Sequence, residues 1–108
     1  MSRELDIKVA GLLGWRGIIT RYEAYGPCGY PPGGLRSREA IPHYSTDLQA
    51  AREMLPDGVR VTLWRAMHDG ATWAKVGDSA RYAARVPGHS DASAATAICE
   101  AWVKWEYA

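Results

Sequence analysis

The chain has 108 residues, the length of one ordinary domain, and we predict a single domain over residues 1–108. An apolar fraction of 47% argues against a disordered chain. Thirteen Lys and Arg against twelve Asp and Glu leave a net charge of +1, so we expect no DNA, RNA or membrane partner, although this charge is compatible with a local basic patch. No apolar run is long enough to span a bilayer and no signal-peptide pattern is present, so we expect a cytoplasmic protein.

The N-terminal part of the chain predicts one helix and one strand. Val9 and Leu12 recur at helical spacing within residues 3–13, and Gly14 is well placed to end this helix. Residues 18–25 are rich in β-branched and aromatic side chains, which are typical of a strand.

A Gly- and Pro-rich segment follows over residues 26–34. Its turn residues predict neither helix nor central strand, and we expect an irregular loop over about residues 26–41. A loop of this length in a small domain is typically functional or disordered. Tyr30, Arg36 and Arg38 favour a binding loop, although a mobile surface segment explains the composition about equally well.

The second half of the chain predicts two helices around three strands. The predicted elements are a helix at about 46–55, strands at 59–67, 72–76 and about 80–86, and a helix from about 90. Asp69-Gly70 is a hairpin signal between the first two of these strands. The order α-β-α-β-β-β-α predicts an α+β fold in which an antiparallel sheet is sandwiched by helices.

The aromatic residues are five Trp and six Tyr, with no Phe. Both types combine an apolar face with a polar group, which suits interfaces and stacking sites as well as cores. We expect three of the Trp residues to fill the core, namely Trp64, Trp73 and Trp102. On the last helix, Ala95, Ile98, Trp102 and Trp105 form an apolar seam that we expect to pack on the sheet.

Residues 41–48 join the loop to the second helix. Pro42 forces an extended approach to the helix. Ser45 or Thr46 is expected to cap it, because residues 46–49 have the spacing of a capping box.

This helix start is a candidate anion site, since its first backbone N–H groups lack partners within the helix. Arg36 or Arg38 could add charge-assisted bonds to a phosphate. A base stacked on Trp15, Tyr30 or Tyr44 would gain about 1–3 kcal/mol. For each Arg alone, a solvated surface charge is the simpler explanation.

Other chemistries have weaker support in the sequence. Cys28, Cys99 and the three His residues lack the paired short spacing of zinc sites, so we predict no metal, no cofactor and a reduced Cys pair. Residues 32–34 are not followed by Lys-Ser or Lys-Thr and are not a P-loop. His43 and Asp47 could form the acid–base pair of a small hydrolase, but helix capping explains them equally well, and we predict that the protein is not an enzyme.

Three stretches of the chain resemble the small phage proteins grouped as the phage ABA sandwich domain. They are residues 4–15, residues 42–51 and the alanine-rich residues 92–102, about a third of the chain in all. The Pro-x-Tyr-Ser-Thr-Asp portion at 42–47 is the most specific. The resemblance implies a phage origin and a sheet sandwiched by helices. Phage proteins of this size include sponges that sequester cyclic nucleotide immune signals.

From the residues and this resemblance together, we expect a phage or prophage protein that sequesters a cyclic oligonucleotide or cyclic ADP-ribose signal without catalysis. A domain of this size has little room for a deep pocket, so we expect sites at the subunit interfaces of a homo-oligomer. The predicted ligand-binding residues are Trp15, Tyr30, Arg36, Arg38, His43, Tyr44, Ser45 and Thr46. The alternative is an interaction module whose exposed Trp and Tyr contact a host or phage protein.

Overall fold

In the part of the chain that the structure describes, three α-helices combine with two three-stranded antiparallel sheets, and the predicted α+β class is confirmed. The computed structural model describes residues 3–20, 26–33, 37–77 and 80–107. The chain divides into two compact units, Met1–Pro42 and His43–Ala108. No helix in the described residues is long and apolar enough to cross a membrane.

The N-terminal unit contains helix α1 and a sheet of short strands. As predicted, α1 spans Glu4–Leu13 and ends at Gly14, whose φ of 101° is in the left-handed region. The strands are β1 (Arg16–Ile19), β2 (Cys28–Tyr30) and β3 (Glu39–Ala40), in the spatial order β1-β2-β3. The predicted strand at 18–25 therefore begins earlier than expected, and its residues 21–25 lie outside the described part of the chain.

The prediction that residues 26–34 contain no central strand is wrong, because β2 pairs with a strand on each side. Gly29 explains the difference. A Cβ at this position would lie 3.1 Å from the Arg16 carbonyl oxygen and 3.1 Å from Ile18 Cγ1. The glycine that suggested a turn instead allows close approach of two backbones. Nearby, the carbonyl of Pro27 accepts a hydrogen bond from the N–H of Ile41 (3.0 Å).

Arg3 links the beginning and the end of the N-terminal unit. Its Nε donates to the buried carboxylate of Asp6 (2.6 Å), and its Nη2 donates to the carbonyl oxygens of Ile41 and Pro42. A buried carboxylate needs such a partner because removal from water strongly disfavours an unpaired charge.

The C-terminal unit contains two helices, three longer strands and one turn of 3-10 helix. In chain order these are α2 (Leu48–Glu53), β4 (Val61–Ala66), β5 (Ala71–Val76), the 3-10 helix (Ala80–Tyr82), β6 (Ala83–Pro87) and α3 (Asp91–Glu106). The sheet order is β4-β5-β6. Helix α3 packs on β5 and β6, and α2 packs on α3. Compared with the predicted order, the chain contains two additional strands, β2 and β3.

The core of the C-terminal unit lies between α3 and one face of the sheet. On β5, alternate residues Thr72, Ala74 and Val76 are buried. On α3, Ala95, Ile98 and Trp102 are buried, as predicted, and Cys99 is buried beside them. Trp105, which was expected to continue the seam, is 37% exposed.

The prediction that Trp64 and Trp73 belong to the core is wrong. Trp64 is 41% exposed and Trp73 is half-buried. Side chains alternate between the two faces of a sheet, so Trp73 points away from the face that carries Ala74. Trp64 pairs with Trp73 across the β4–β5 ladder and therefore shares that outer face.

The N-cap of α2 is Asp47 and not, as predicted, Ser45 or Thr46. The Asp47 Oδ1 atom accepts hydrogen bonds from Gln49 N (3.1 Å) and Ala50 N (3.4 Å). The N–H groups of Thr46 and Asp47 both donate to the carbonyl oxygen of His43. Because of this turn, the helix begins only at Leu48. Asp47 is then the residue whose side chain reaches the first N–H groups of the helix.

Candidate functional site

The predicted ligand-binding residues fall in both units of the structure. Trp15, Tyr30 and Arg38 belong to the N-terminal unit, and His43, Tyr44, Ser45 and Thr46 belong to the C-terminal unit. Arg36 lies outside the described residues.

Two of these residues, Tyr30 and Arg38, are in direct contact. The Arg38 guanidinium lies over the Tyr30 ring, with Cζ 4.8 Å from the ring centroid. Arg38 Nε also donates to the carbonyl oxygen of Gly17 at 3.3 Å. A cation–π contact of this kind contributes about 0.5–1 kcal/mol at an exposed site. These two contacts hold the guanidinium beside the end of β2.

A cavity of about 340 Å³ opens beside this contact. It is lined by Gly14, Arg16, Tyr30, Pro31, Pro32 and Gly33. Arg16 reaches it because the antiparallel register pairs Arg16 with Tyr30. The lining thus combines an aromatic ring, two pyrrolidine rings and a guanidinium. Such a surface suits a small ligand with a planar ring and a negative charge.

Gly17 allows the Tyr30 ring to lie across β1. A Cβ at Gly17 would lie 3.0 Å from Cδ2 and 3.1 Å from Cε2 of Tyr30, and the φ of Gly17 is +59°. A side chain there would therefore be strained and would displace the ring.

Sequence reasoning missed both Arg16 and Gly17. No local pattern marks either residue, because their relation to Tyr30 exists only through the register of β1 and β2. The register of a hairpin can be predicted from its sequence when the turn is short. The chain between β1 and β2 is long, so the sequence does not indicate their register.

Trp15 is half-buried at the end of α1, where its backbone N–H donates to the Ala10 carbonyl oxygen (3.0 Å). Its neighbours Gly14 and Arg16 line the cavity. The predicted role of Trp15 in ligand stacking stays a prediction.

The segment from His43 to Thr46 is anchored to α3. Tyr44 and Ser45 are 7% and 8% exposed. The Tyr44 carbonyl accepts a hydrogen bond from Cys99 Sγ (3.1 Å), and the Ser45 carbonyl accepts one from Thr96 Oγ1. These contacts give the segment a structural function, and its ligand-binding function stays a prediction.

A second cavity, of about 640 Å³, lies at the start of α2. It is lined by Thr46, Asp47, Leu48, Gln49, Arg52, Glu53 and Asp91. Three carboxylates against one guanidinium make this lining unfavourable for a phosphate. The Asp47 carboxylate also takes up two of the helix N–H groups that an anion would need. Of these two cavities, the one lined by Arg16 is therefore the more favourable for an anion.

Metal chemistry finds no support in the described residues. Among them, no group of three or more His, Cys, Asp or Glu side chains could hold a metal ion. The side chains of Cys28 and Cys99 are thiols, and both residues are buried.

Comparison with protein-family models, with curated proteins and with solved structures gave no match. The resemblance to the phage ABA sandwich domain therefore stays a prediction, and the site is interpreted from its own geometry.

Proposed function

We propose that this protein is a phage-encoded sponge that binds a cyclic nucleotide immune signal and withholds it from a host defence effector without altering it. The observation that supports this proposal is the Tyr30–Arg38 contact beside the cavity that Arg16 lines. The cavity would take the nucleotide, and the two guanidinium groups would contact its phosphate.

The chemistry of the cavity suits a nucleotide because it offers both an aromatic surface and positive charge. A base stacked on Tyr30 would gain about 1–3 kcal/mol, and a bond from Arg16 or Arg38 to a phosphate is charge-assisted. Arg38 is already restrained by Tyr30 and Gly17. It would therefore lose little side-chain freedom on binding, which reduces the entropic cost of the contact.

The size of the cavity supports one nucleotide unit per chain. About 340 Å³ lies at the low end of the range of roughly 300–1,000 Å³ typical of small-molecule sites. A cyclic oligonucleotide contains several such units, so we propose that copies of the chain assemble and that each holds one unit. This arrangement agrees with the expected homo-oligomer.

The first experiment is a thermal-shift screen of the purified protein against cyclic dinucleotides, cyclic trinucleotides and cyclic ADP-ribose isomers. A ligand at one hundred times its Kd adds about 2.7 kcal/mol to the free energy of unfolding if it binds only the folded protein. We expect one ligand class to raise the Tm and to be recovered intact. A flat response, or conversion of the ligand to product, would reject the proposal.

Variants then locate the site by isothermal titration calorimetry. We expect Arg38→Ala to weaken binding at least about tenfold, since a hydrogen bond to a charged group is worth about 1.5–3 kcal/mol. Arg65→Ala, which removes an exposed Arg from β4 in the other unit, is the matched control and should leave Kd unchanged. Equal losses in both variants would contradict the proposed site.

A further inference from the structure

We propose that the outer face of the β4-β5-β6 sheet binds single-stranded nucleic acid by stacking bases on Trp64 and Trp73. This face lies in the C-terminal unit, whereas the cavity beside Tyr30 lies in the N-terminal unit. The inference therefore does not depend on the proposed nucleotide sponge.

The two indole rings form a parallel stack. Their centroids are 5.9 Å apart and their planes differ by 6°. Across the sheet, Trp64 pairs with Trp73, and Trp73 pairs with Arg85 on its other side. The stack therefore extends from the central strand toward β4, which is an edge strand of this sheet.

The exposed indole at the sheet edge is pre-organised for a further ring. Trp64 is 41% exposed, and its contact with Trp73 restrains its side chain. A nucleobase could extend the parallel stack at Trp64 without the protein having to order a free side chain. Stacking of one base on an aromatic side chain is worth about 1–3 kcal/mol.

Charge on the same face selects a polyanion over a neutral planar ligand. Lys75 and Arg85 lie on this face, and Arg85 is exposed. None of the described strand residues that share this face is acidic. Asp69 of the β4–β5 turn accepts a hydrogen bond from Arg85 Nε at 3.0 Å, which leaves Lys75 as the cation on this face without a carboxylate contact among the described residues.

This proposal departs from the expectation that the protein has no DNA or RNA partner. That expectation came from a net charge of +1, which averages over the whole chain. Binding of a single strand depends on local placement instead, and the β4–β5–β6 register places two aromatic rings and two cations on one face.

The test is a fluorescence-anisotropy titration of labelled oligothymidylate of about ten nucleotides, a length within the range of known single-strand sites. We expect the full chain to bind it at low salt, to bind a duplex of equal length more weakly, and to retain binding in the Arg38→Ala variant. Trp64→Ala should raise Kd about tenfold, and Trp64→Phe should raise it less because a ring remains.

Trp105→Ala is the matched control, because Trp105 is 37% exposed but lies on α3. It should leave Kd unchanged. Circular dichroism melts would confirm that each variant is folded. Lys75→Gln should reduce the slope of log K against log salt by about 0.7, the value for loss of one phosphate contact on a single strand.

Three outcomes would overturn the proposal. The first is no binding of oligothymidylate by the wild-type chain at low salt. The second is an equal effect of Trp64→Ala and Trp105→Ala on Kd. The third combines two results: the wild type binds no oligonucleotide, and Trp64→Ala changes the sedimentation coefficient of the protein. These results together would identify the Trp64 face as a contact between protein chains.

Discussion

Within the described residues, the sheets of the N-terminal and C-terminal units each have three strands, but the strands differ in length and in regularity of pairing. Strands β4, β5 and β6 have six, six and five residues and pair in continuous register. Strands β1, β2 and β3 have four, three and two residues, and the register shifts between Arg16 and Ile19. The short sheet contains the candidate nucleotide cavity, whereas the long sheet contains the exposed Trp pair.

The two sheets are also stabilised by different interactions. A 16-residue helix covers the long sheet and buries Ile98, Cys99 and Trp102. The N-terminal unit is stabilised instead by the close approach of two strands at Gly29 and by the hydrogen bonds of Arg3. An apolar core loses most stability when a large side chain is removed, whereas a close backbone approach is disrupted when a side chain is added. The two units should therefore be sensitive to opposite kinds of substitution.

The largest effect is expected in the core of the C-terminal unit. Trp102→Ala removes a fully buried indole and should lower the free energy of unfolding by about 3–5 kcal/mol. Urea denaturation followed by circular dichroism measures this loss. Trp105→Ala, three residues further along the same helix, should cost less than about 1 kcal/mol. Comparable losses in the two variants would mean that α3 does not bury its seam as described.

The next effect is expected in the central strand of the short sheet. Gly29→Val places a branched side chain where even a Cβ lies 3.1 Å from the backbone of β1. We expect a loss of about 1–3 kcal/mol from overpacking. Amide hydrogen exchange should show faster exchange in the N-terminal unit and unchanged protection in β5.

The control for this variant is Gly11→Ala in α1. A Cβ at Gly11 would meet no atom within 4 Å, and alanine favours a helix interior over glycine by about 0.5–1 kcal/mol. Gly11→Ala should therefore stabilise the protein. A stable Gly29→Val variant with unchanged exchange would contradict the close pairing of β1 and β2.

A smaller effect distinguishes the observed helix cap from the predicted one. Asp47→Ala removes the acceptor for Gln49 N and Ala50 N and should cost about 1 kcal/mol. Thr46→Ala should cost less, since the side chain that caps α2 is that of Asp47. Thermal denaturation of both variants measures the difference, and the reverse order would restore the capping box predicted from the sequence.

The smallest effect concerns the pH dependence of the Asp69–Arg85 pair. The hydrogen bond from Arg85 lowers the pKa of the Asp69 carboxyl below its ordinary value. A carboxyl whose pKa is lower in the folded state adds stability above its ordinary pKa, and this stability is lost as the pH falls through the lowered value.

We therefore expect the wild type to be slightly more stable than Asp69→Asn at neutral pH, with the difference disappearing in acid below the ordinary carboxyl pKa of about 3.9. Asn retains an oxygen for the bond from Ala71 N, so the substitution removes the charge and the hydrogen bond from Arg85 Nε but keeps the turn contact. Urea denaturation across this pH range is the measurement. Because the pair is exposed, high salt should also reduce the difference, and a difference independent of pH would contradict this account.

Much of the C-terminal unit could be predicted from its sequence because several local signals agree there. Asp69-Gly70 marked the hairpin, Ser90 marked the start of α3, and the spacing of Ile98 and Trp102 marked its buried face. In the N-terminal unit, Gly14 correctly marked the end of α1. Each of these features depends mainly on residues that are close together in the sequence.

The errors have a common physical cause. Glycine at position 29 is compatible with a turn or with close approach of a second strand, and only the partner strand decides between them. Trp64 is apolar enough for a core, but the strand places it on the outer face. The alternation of Val61 and Leu63 already contained this signal, because their neighbour Trp64 must point to the opposite face.

The sequence by itself determined the α+β class, the first and last helices and the β4–β5 hairpin, since each depends on propensity and spacing over a few residues. It also predicted Tyr30 and Arg38 as ligand-binding residues, and this function stays a prediction. Only the tertiary structure decided that Arg38 lies over Tyr30, that Arg16 lines the same cavity, and that Trp64 stacks on Trp73. Strand register brings these residues together, and register depends on contacts between distant parts of the chain.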